Sequence, residues 1–293
     1  MNAPRRKRFE EFWGNVKDEI HSHPVIIDNP YCKWFKKGNV TKGQLIDLFE
    51  QFAVFSKWFL LAQLMRVLNA SDLEAEAHAR YILANELGVR INSDGSTENQ
   101  LFKTQWAHIN WLRDTARPLN LNPEKLGSWD SASSSTRTFI KGLEETYGNK
   151  DGEVGRGASY AIETWAAWGI GKGEAAESNN FWKELIMGIE SYNKKNKLEG
   201  ASAIPLKFFL FHFNSEKGHG DNVLDELNES FSKPDFDGKK FIDAGVKALN
   251  SIHTFWSGLD QTRREMKKGR PLGNLDFIKQ HSGEDSASNM KIH

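Results

Sequence analysis

An all-α fold, one helical bundle of about seven or eight main helices, is what this 293-residue sequence predicts. Apolar residues recur at three- and four-residue spacing in nearly every segment between breakers. No stretch alternates at period two for long enough to make a strand, and no internal repeat divides the chain. The length suits one large domain. Residues 1–268 are therefore assigned to the bundle, and the mostly polar 269–293 to a poorly ordered tail.

The first helix is expected over Phe9–Ile20, where Phe9, Phe12, Trp13, Val16 and Ile20 share a face, followed by a proline-punctuated link from His23 to Pro30. Aromatic residues resume over Tyr31–Lys37. Thr41 is placed to cap a long helix, Gln44–Asn69, whose Leu45, Leu48, Phe49, Phe52, Phe55, Phe59, Leu60 and Leu64 cover more than one face. That breadth predicts an element in the middle of the bundle. Ser71 or Asp72 can cap Leu73–Leu87, which Gly88 ends in the usual place for a C-terminal glycine.

Val89–Asn99 reads as a polar loop and Gln100–Ala116 as helix, carrying Leu101, Gln105, His108 and Leu112. A connection with at most one helical turn, 119–135, leads to a helix over Thr136–Thr146 and a glycine-rich loop, 147–157. Helices are then expected over Ala158–Ile170, Asn180–Lys194, the segment beginning at Phe208, and Lys240–Lys267. Val223–Phe231 either continues the Phe208 helix or starts another.

Composition excludes several classes of function. Lys plus Arg and Asp plus Glu both number 39 and the pI is near 7.1, so there is no general attraction for nucleic acid or an anionic membrane. No run approaches the ~18–20 apolar residues of a membrane span. The basic start, MNAPRRKR, leads into an acidic amphipathic segment without an apolar core, unlike a signal peptide. Cys32, the one cysteine, excludes an internal disulfide or a cysteine-rich metal site and fits a reducing compartment, so a cytoplasmic location is expected. A small-molecule substrate is the expected partner; a homodimer is compatible with the sequence. The 10 Trp and 19 Phe serve a large core and an apolar pocket equally well.

The chemistry concentrates in Phe208–Asn222, FFLFHFNSEKGHGDN, where His212, Glu216 and His219 fall at i, i+4 and i+7. On a helix they share one face, and two imidazoles with a carboxylate suit iron, manganese or zinc. A solvated helix end is the competing reading, since Gly218 and Gly220 weaken a helix by roughly 1 kcal/mol each. Glu163 stands alone among Tyr160, Ile162, Trp165 and Trp168, so it must be paired, protonated or bound to a cation. Glu86 opposes the dipole at its helix end unless something cationic sits beside it. His108, between Trp106 and Trp111, is as a lone histidine more often a satisfied core residue than a ligand.

Three pieces, ANELG at 84–88, YAIETWAAW at 160–168 and FFLFHFNSEKGH at 208–219, resemble the ligand helices of the heme-oxygenase-like diiron oxidases and oxygenases, which share their bundle with the TenA and PqqC proteins. The resemblance extends over most of residues 20–260. It implies a non-heme enzyme with two iron ions and O₂ as co-substrate. Glu86, His108 and Glu163 would hold one iron, and Glu163, as bridge, with His212, Glu216 and His219 the other. Two features depart from the group. His108 lies far beyond Glu86, across what reads as an insertion, and Glu216 stands where Asp is commoner. The rivals are a TenA-like hydrolase using Cys32, a heme oxygenase with His21 or His23 as proximal ligand, and a metal-free helical interaction protein.

Overall fold

Helix-starting side chains set most of the boundaries. The computed structural model of the chain describes residues 3–90, 92, 99–169 and 180–267; the expected tail 269–293 lies outside the described residues. The helices are α1 Ala3–Val16, α2 Pro24–Ile27, α3 Pro30–Phe35, α4 Lys42–Leu68, α5 Leu73–Leu87, α6 His108–Thr115, α7 Ser134–Thr146, α8 Gly152–Ala167, α9 Phe181–Lys195, α10 Lys207–Ser232 and α11 Gly238–Lys267. Eight of these reach 13 residues or more. No strand occurs among the described residues. One isolated antiparallel bridge joins Val89 to Phe102. The fold is all-α, and among the described residues no helix is long and apolar enough to cross a membrane.

Thr41 opens α4 through a reciprocal box with Gln44. Asp72, rather than Ser71, caps α5 by accepting from the Ala75 N–H at 2.9 Å. Its other oxygen meets Lys233 Nζ at 2.8 Å, tying the start of α5 to the end of α10. Gly88 ends α5 at φ +106°, where a Cβ would lie 2.4 Å from the Lys103 carbonyl oxygen. α11 packs along α8 and α7, α10 along α8 and α9, and α4 along α5 and α7. Phe52, Phe139, Phe255 and Trp256 fill the space between them.

Several boundaries differ from the sequence expectation. The first helix starts at Ala3 and changes to a π-helical turn over Lys17–His21, and the link after it contains the short α2. The last third of α4 is buried on one face only: Ala62, Gln63 and Arg66 are buried while Leu61, Leu64 and Leu68 are exposed. Gln100–Ala116 is not one helix. Lys103 N–H donates to the Gly88 carbonyl at 3.1 Å and Phe102 bridges Val89, holding this stretch extended. A 3₁₀ turn, Thr104–Trp106, follows, and α6 starts at His108, while Leu101 stays exposed.

The supposed loop 147–157 is shortened from the other side. Asp151 accepts from the Glu153 and Val154 N–H groups, so α8 begins at Gly152. Gly157, costly in an isolated helix, is required by packing: a Cβ there would sit 2.0 Å from the Phe241 carbonyl oxygen of α11. Gly245 of α11 returns the approach, with its added Cβ 3.0 Å from the Gly157 carbonyl oxygen. α8 ends at Ala167 rather than Ile170. Asn180 Nδ2 caps it by donating to the Ala166 and Trp168 carbonyls at 2.7 and 2.8 Å. α10 runs unbroken past Gly218 and Gly220 to Ser232.

Two predictions follow from this packing. Gly157→Ala has to move backbone on α11, and we expect a loss of about 2–3 kcal/mol in chemical denaturation. Asp47, on α4, is pushed up to about 7 by burial and secondarily by Glu50. Between about pH 4 and 7 the folded state therefore binds this proton more tightly than the unfolded chain, and stability falls as pH rises through that window. Asp47→Asn should flatten the slope and raise stability at pH 8 by ~1–2 kcal/mol, with no gain at pH 4. Denaturation curves at the two pH values measure it.

Candidate functional site

The C-terminal turn of α5 and the first residue of α6 meet across the chain segment that separates them. Glu86 Oε2 lies 2.9 Å from His108 Nδ1, which answers the dipole objection to a carboxylate at a helix C-terminus by giving it a hydrogen-bond donor. The distance in sequence between the two is bridged by the Val89–Phe102 pairing, which returns the chain beside its departure point. His108 is buried at 4% exposure, so its ring depends on these contacts.

From α10, His212 Nε2 approaches the same His108 Nδ1 at 3.2 Å. His212 Nδ1 lies 2.8 Å from the Phe208 carbonyl oxygen one turn back. A carbonyl only accepts, so Nδ1 carries the proton and Nε2 presents its lone pair to His108. Trp182 stacks on the His212 ring with centroids 4.6 Å apart and planes 23° apart, holding the imidazole flat against α9. The two imidazoles meet edge to face.

Glu163, 5% exposed on α8, lines the same cavity as Glu86, His108 and His212. The cavity measures about 70 Å³ and is walled mainly by Phe52, Phe55, Phe59, Phe208 and Phe211. It has room for a few water-sized groups. Four of the six candidate ligands thus converge from α5, α6, α8 and α10. The side chains of Glu216 and His219 lie outside the described residues; their backbone belongs to α10. Helical continuity keeps positions 212, 216 and 219 on one face.

Sequence reasoning missed Gln63. It lines this cavity from α4, is 1% exposed, and neither its Oε1 nor its Nε2 has a partner among the described residues. Trp165 and Trp182, also lining it, each carry an Nε1–H without a partner among the described residues. Orphaned polar atoms this deep are rare and point to a polar occupant. The signal was visible as a lone amide in the apolar run FLLAQLM.

The donor set can be tested against a metal. Ligand atoms held roughly 2.0–2.2 Å from one ion at tetrahedral or octahedral angles stand about 2.8–3.6 Å apart. The contacts at His108 Nδ1 fall at or near that spacing, and two imidazoles with carboxylates form a donor set for first-row metals. As they stand, the side chains hydrogen-bond to one another. Among the described residues no group of three or more His, Cys, Asp or Glu is arranged to hold an ion directly. The donor types suit a first-row metal, and a cation there would replace the contacts at His108 Nδ1.

No family model matches the sequence, and no curated protein matches it. Among solved structures the chain is similar to a domain of unknown function with a heme oxygenase-like fold from Shewanella denitrificans OS217. The TM-score is 0.57 over 90% of this chain and 96% of that one, at 14% sequence identity. The fold is heme-oxygenase-like. At that identity the likeness shows architecture alone.

Within this heme-oxygenase-like bundle the rival nucleophile and heme ligands are placed elsewhere. Cys32 is fully buried, does not line the cavity, and burial, with Glu184 beside it, pushes its thiol well up. His23 caps α2, its Nδ1 accepting from the Val25 N–H and its Nε2 donating to Asn250 Oδ1. His21 Nε2 is 2.7 Å from the Tyr160 hydroxyl. We expect long-range ¹H–¹⁵N spectra of the metal-free protein to show His212 as the Nδ1–H tautomer. An Nε2–H signal would contradict the geometry described here.

Proposed function

We propose that this chain is a non-heme diiron oxidoreductase that uses O₂ to oxidise a small organic substrate. The observation that carries the reading is the convergence of Glu86, His108, Glu163 and His212, from four helices, on one buried cavity. Glu86, His108 and Glu163 would hold one iron, and Glu163, His212, Glu216 and His219 the other. When bound, the ferrous pair supplies the electrons with which O₂ is activated.

The chain's own groups define what else happens there. The Phe208 carbonyl keeps the His212 lone pair on Nε2, and the Trp182 face keeps the ring from rotating away. Gln63, Trp165 and Trp182 line the cavity and carry polar atoms without partners among the described residues. The phenyl walls lower the local dielectric, which strengthens each of these contacts. N-oxygenation, desaturation and carbon–carbon cleavage all lie within this class of chemistry.

Anaerobic loading with ferrous iron tests the reading. We expect about two ions per chain, as the two ligand sets imply, and an absorbance change on exposure to O₂. His212→Ala and Glu163→Ala should each lose at least half of the bound iron while keeping the parent's far-ultraviolet circular dichroism. A parent that takes up no iron, or variants that load as it does, leaves the metal-free interaction protein as the reading that stands.

A further inference from the structure

The π-helical turn Lys17–His21, which follows α1, brings His21 against Tyr160 of α8. His21 Nε2 lies 2.7 Å from the Tyr160 hydroxyl, with the two rings 20° from parallel and their centroids 6.1 Å apart. Close packing holds the two elements at that spacing. At Gly245 of α11 an added Cβ would stand 2.8 Å from Ile20 Cδ1 and 3.2 Å from Ala161 Cβ, and these are the sequence neighbours of His21 and Tyr160. Tyr160 precedes Glu163 by three residues on α8, so the two share a side of the helix with Cβ atoms about 5–6 Å apart.

The hydrogen bond between the pair has a direction. Tyr160 is 3% exposed, and burial pushes its phenol well above the usual range, so the hydroxyl keeps its proton at any ordinary pH. Thr164 hydrogen-bonds to the same hydroxyl and acts the other way, favouring the phenolate, as a donor to the oxygen does. The Tyr160 O–H is thereby left for His21 Nε2, which accepts it in the Nδ1–H tautomer. Two indoles complete the cluster. Trp13 meets the His21 ring edge-on at 5.4 Å and Trp168 lies 5.6 Å from it; both are half-buried and carry the cluster towards the surface.

We propose that Tyr160 and His21 form a proton-coupled redox pair, at which the chain gives up one electron beside the candidate site. The electron leaves the phenol for a one-electron oxidant, the phenolic O–H bond breaks and an Nε2–H bond forms. The products are a neutral tyrosyl radical and an imidazolium, and return of one electron and the proton restores both residues. A phenol that has lost an electron is a strong acid, and a base already in hydrogen-bond contact takes its proton without rearrangement. An oxidised metal centre at Glu163 is the native oxidant, and that role rests on the diiron reading; the redox chemistry of the pair does not, and it is tested without iron.

The metal-free full chain is oxidised with flash-generated ruthenium(III) tris-bipyridine, a cobalt(III) ammine serving as the electron sink, and read by freeze-quenched EPR and transient absorption. Expected is a tyrosyl signal that Tyr160→Phe removes and Tyr192→Phe leaves unchanged. His21→Gln keeps a polar side chain but is no base, and it should slow formation of the signal at least about tenfold, the scale of a lost proton acceptor. Circular dichroism checks that each variant is folded. The parent's long-range ¹H–¹⁵N spectrum, which needs no variant, should show His21 as the Nδ1–H tautomer. The proposal is overturned by an absent tyrosyl signal, by a signal that persists in folded Tyr160→Phe, by folded His21→Gln reacting at the parent's rate, or by a His21 Nε2–H resonance. Iron uptake by the same preparation separates the two readings. A parent that takes up no iron yet gives the Tyr160 signal ends the diiron reading and leaves the pair standing; one that loads iron and gives no such signal ends the pair alone.

Discussion

Everything at the candidate site follows from burying ionisable groups in an aromatic core. Glu163, His108 and His212 are 5%, 4% and 6% exposed, and each imidazole is in contact with aromatic rings. Such groups are tolerated only when their polar atoms find partners. The structure satisfies His108 with Glu86, and His212 with the Phe208 carbonyl and with His108. It leaves Gln63 and the indole N–H groups of Trp165 and Trp182, residues that line the same cavity, without partners among the described residues. A cavity partly satisfied in this way is expensive in an apolar core and useful at a site that receives a polar guest.

Helix packing turns that constraint into a geometry. Gly157 and Gly245 let α8 and α11 approach until backbone meets backbone, two turns before Glu163 on α8. Asn180, 1% exposed, closes the other end of α8 and opens α9, so one amide fixes both the helix that carries Glu163 and the helix that carries Trp182. α4 supplies the phenyl walls and Gln63. The residues that touch the cavity and those that fix its dimensions are therefore largely different, and the second group is rich in small or capping side chains.

The division explains what could be read from the sequence. Caps and periodicity located α4, α5, α7, α9 and α11 to within a few residues, because Thr41, Asp72, Asn180 and the apolar spacing act locally. The start of α8 was hidden because its three glycines argue against helix locally and are required only by neighbours: Arg66 near Gly155, Phe241 near Gly157, Ser71 near Gly152. The start of α6 was hidden because the Val89–Phe102 bridge, a tertiary contact, overrides the helical spacing of Leu101 and Gln105. Gln63 was passed over because one amide in an apolar run carries no spacing signal; its meaning appears only when its neighbours are known.

His212 and His108 make the same point about candidate ligands. His212 is oriented by its own helix: the carbonyl four residues back fixes its tautomer wherever that helix forms. His108 has no such local device at the first position of α6, and its direction comes from Glu86, which the fold must deliver from another helix. A spacing argument therefore undervalues His108 for a physical reason. Its place in the site is decided by the backbone pairing of Val89 with Phe102, and that pairing also turns the carboxylate–dipole conflict at the end of α5 into a hydrogen bond. A single tertiary pairing, Val89 with Phe102, rather than any helical spacing, brings the start of α6 to the end of α5.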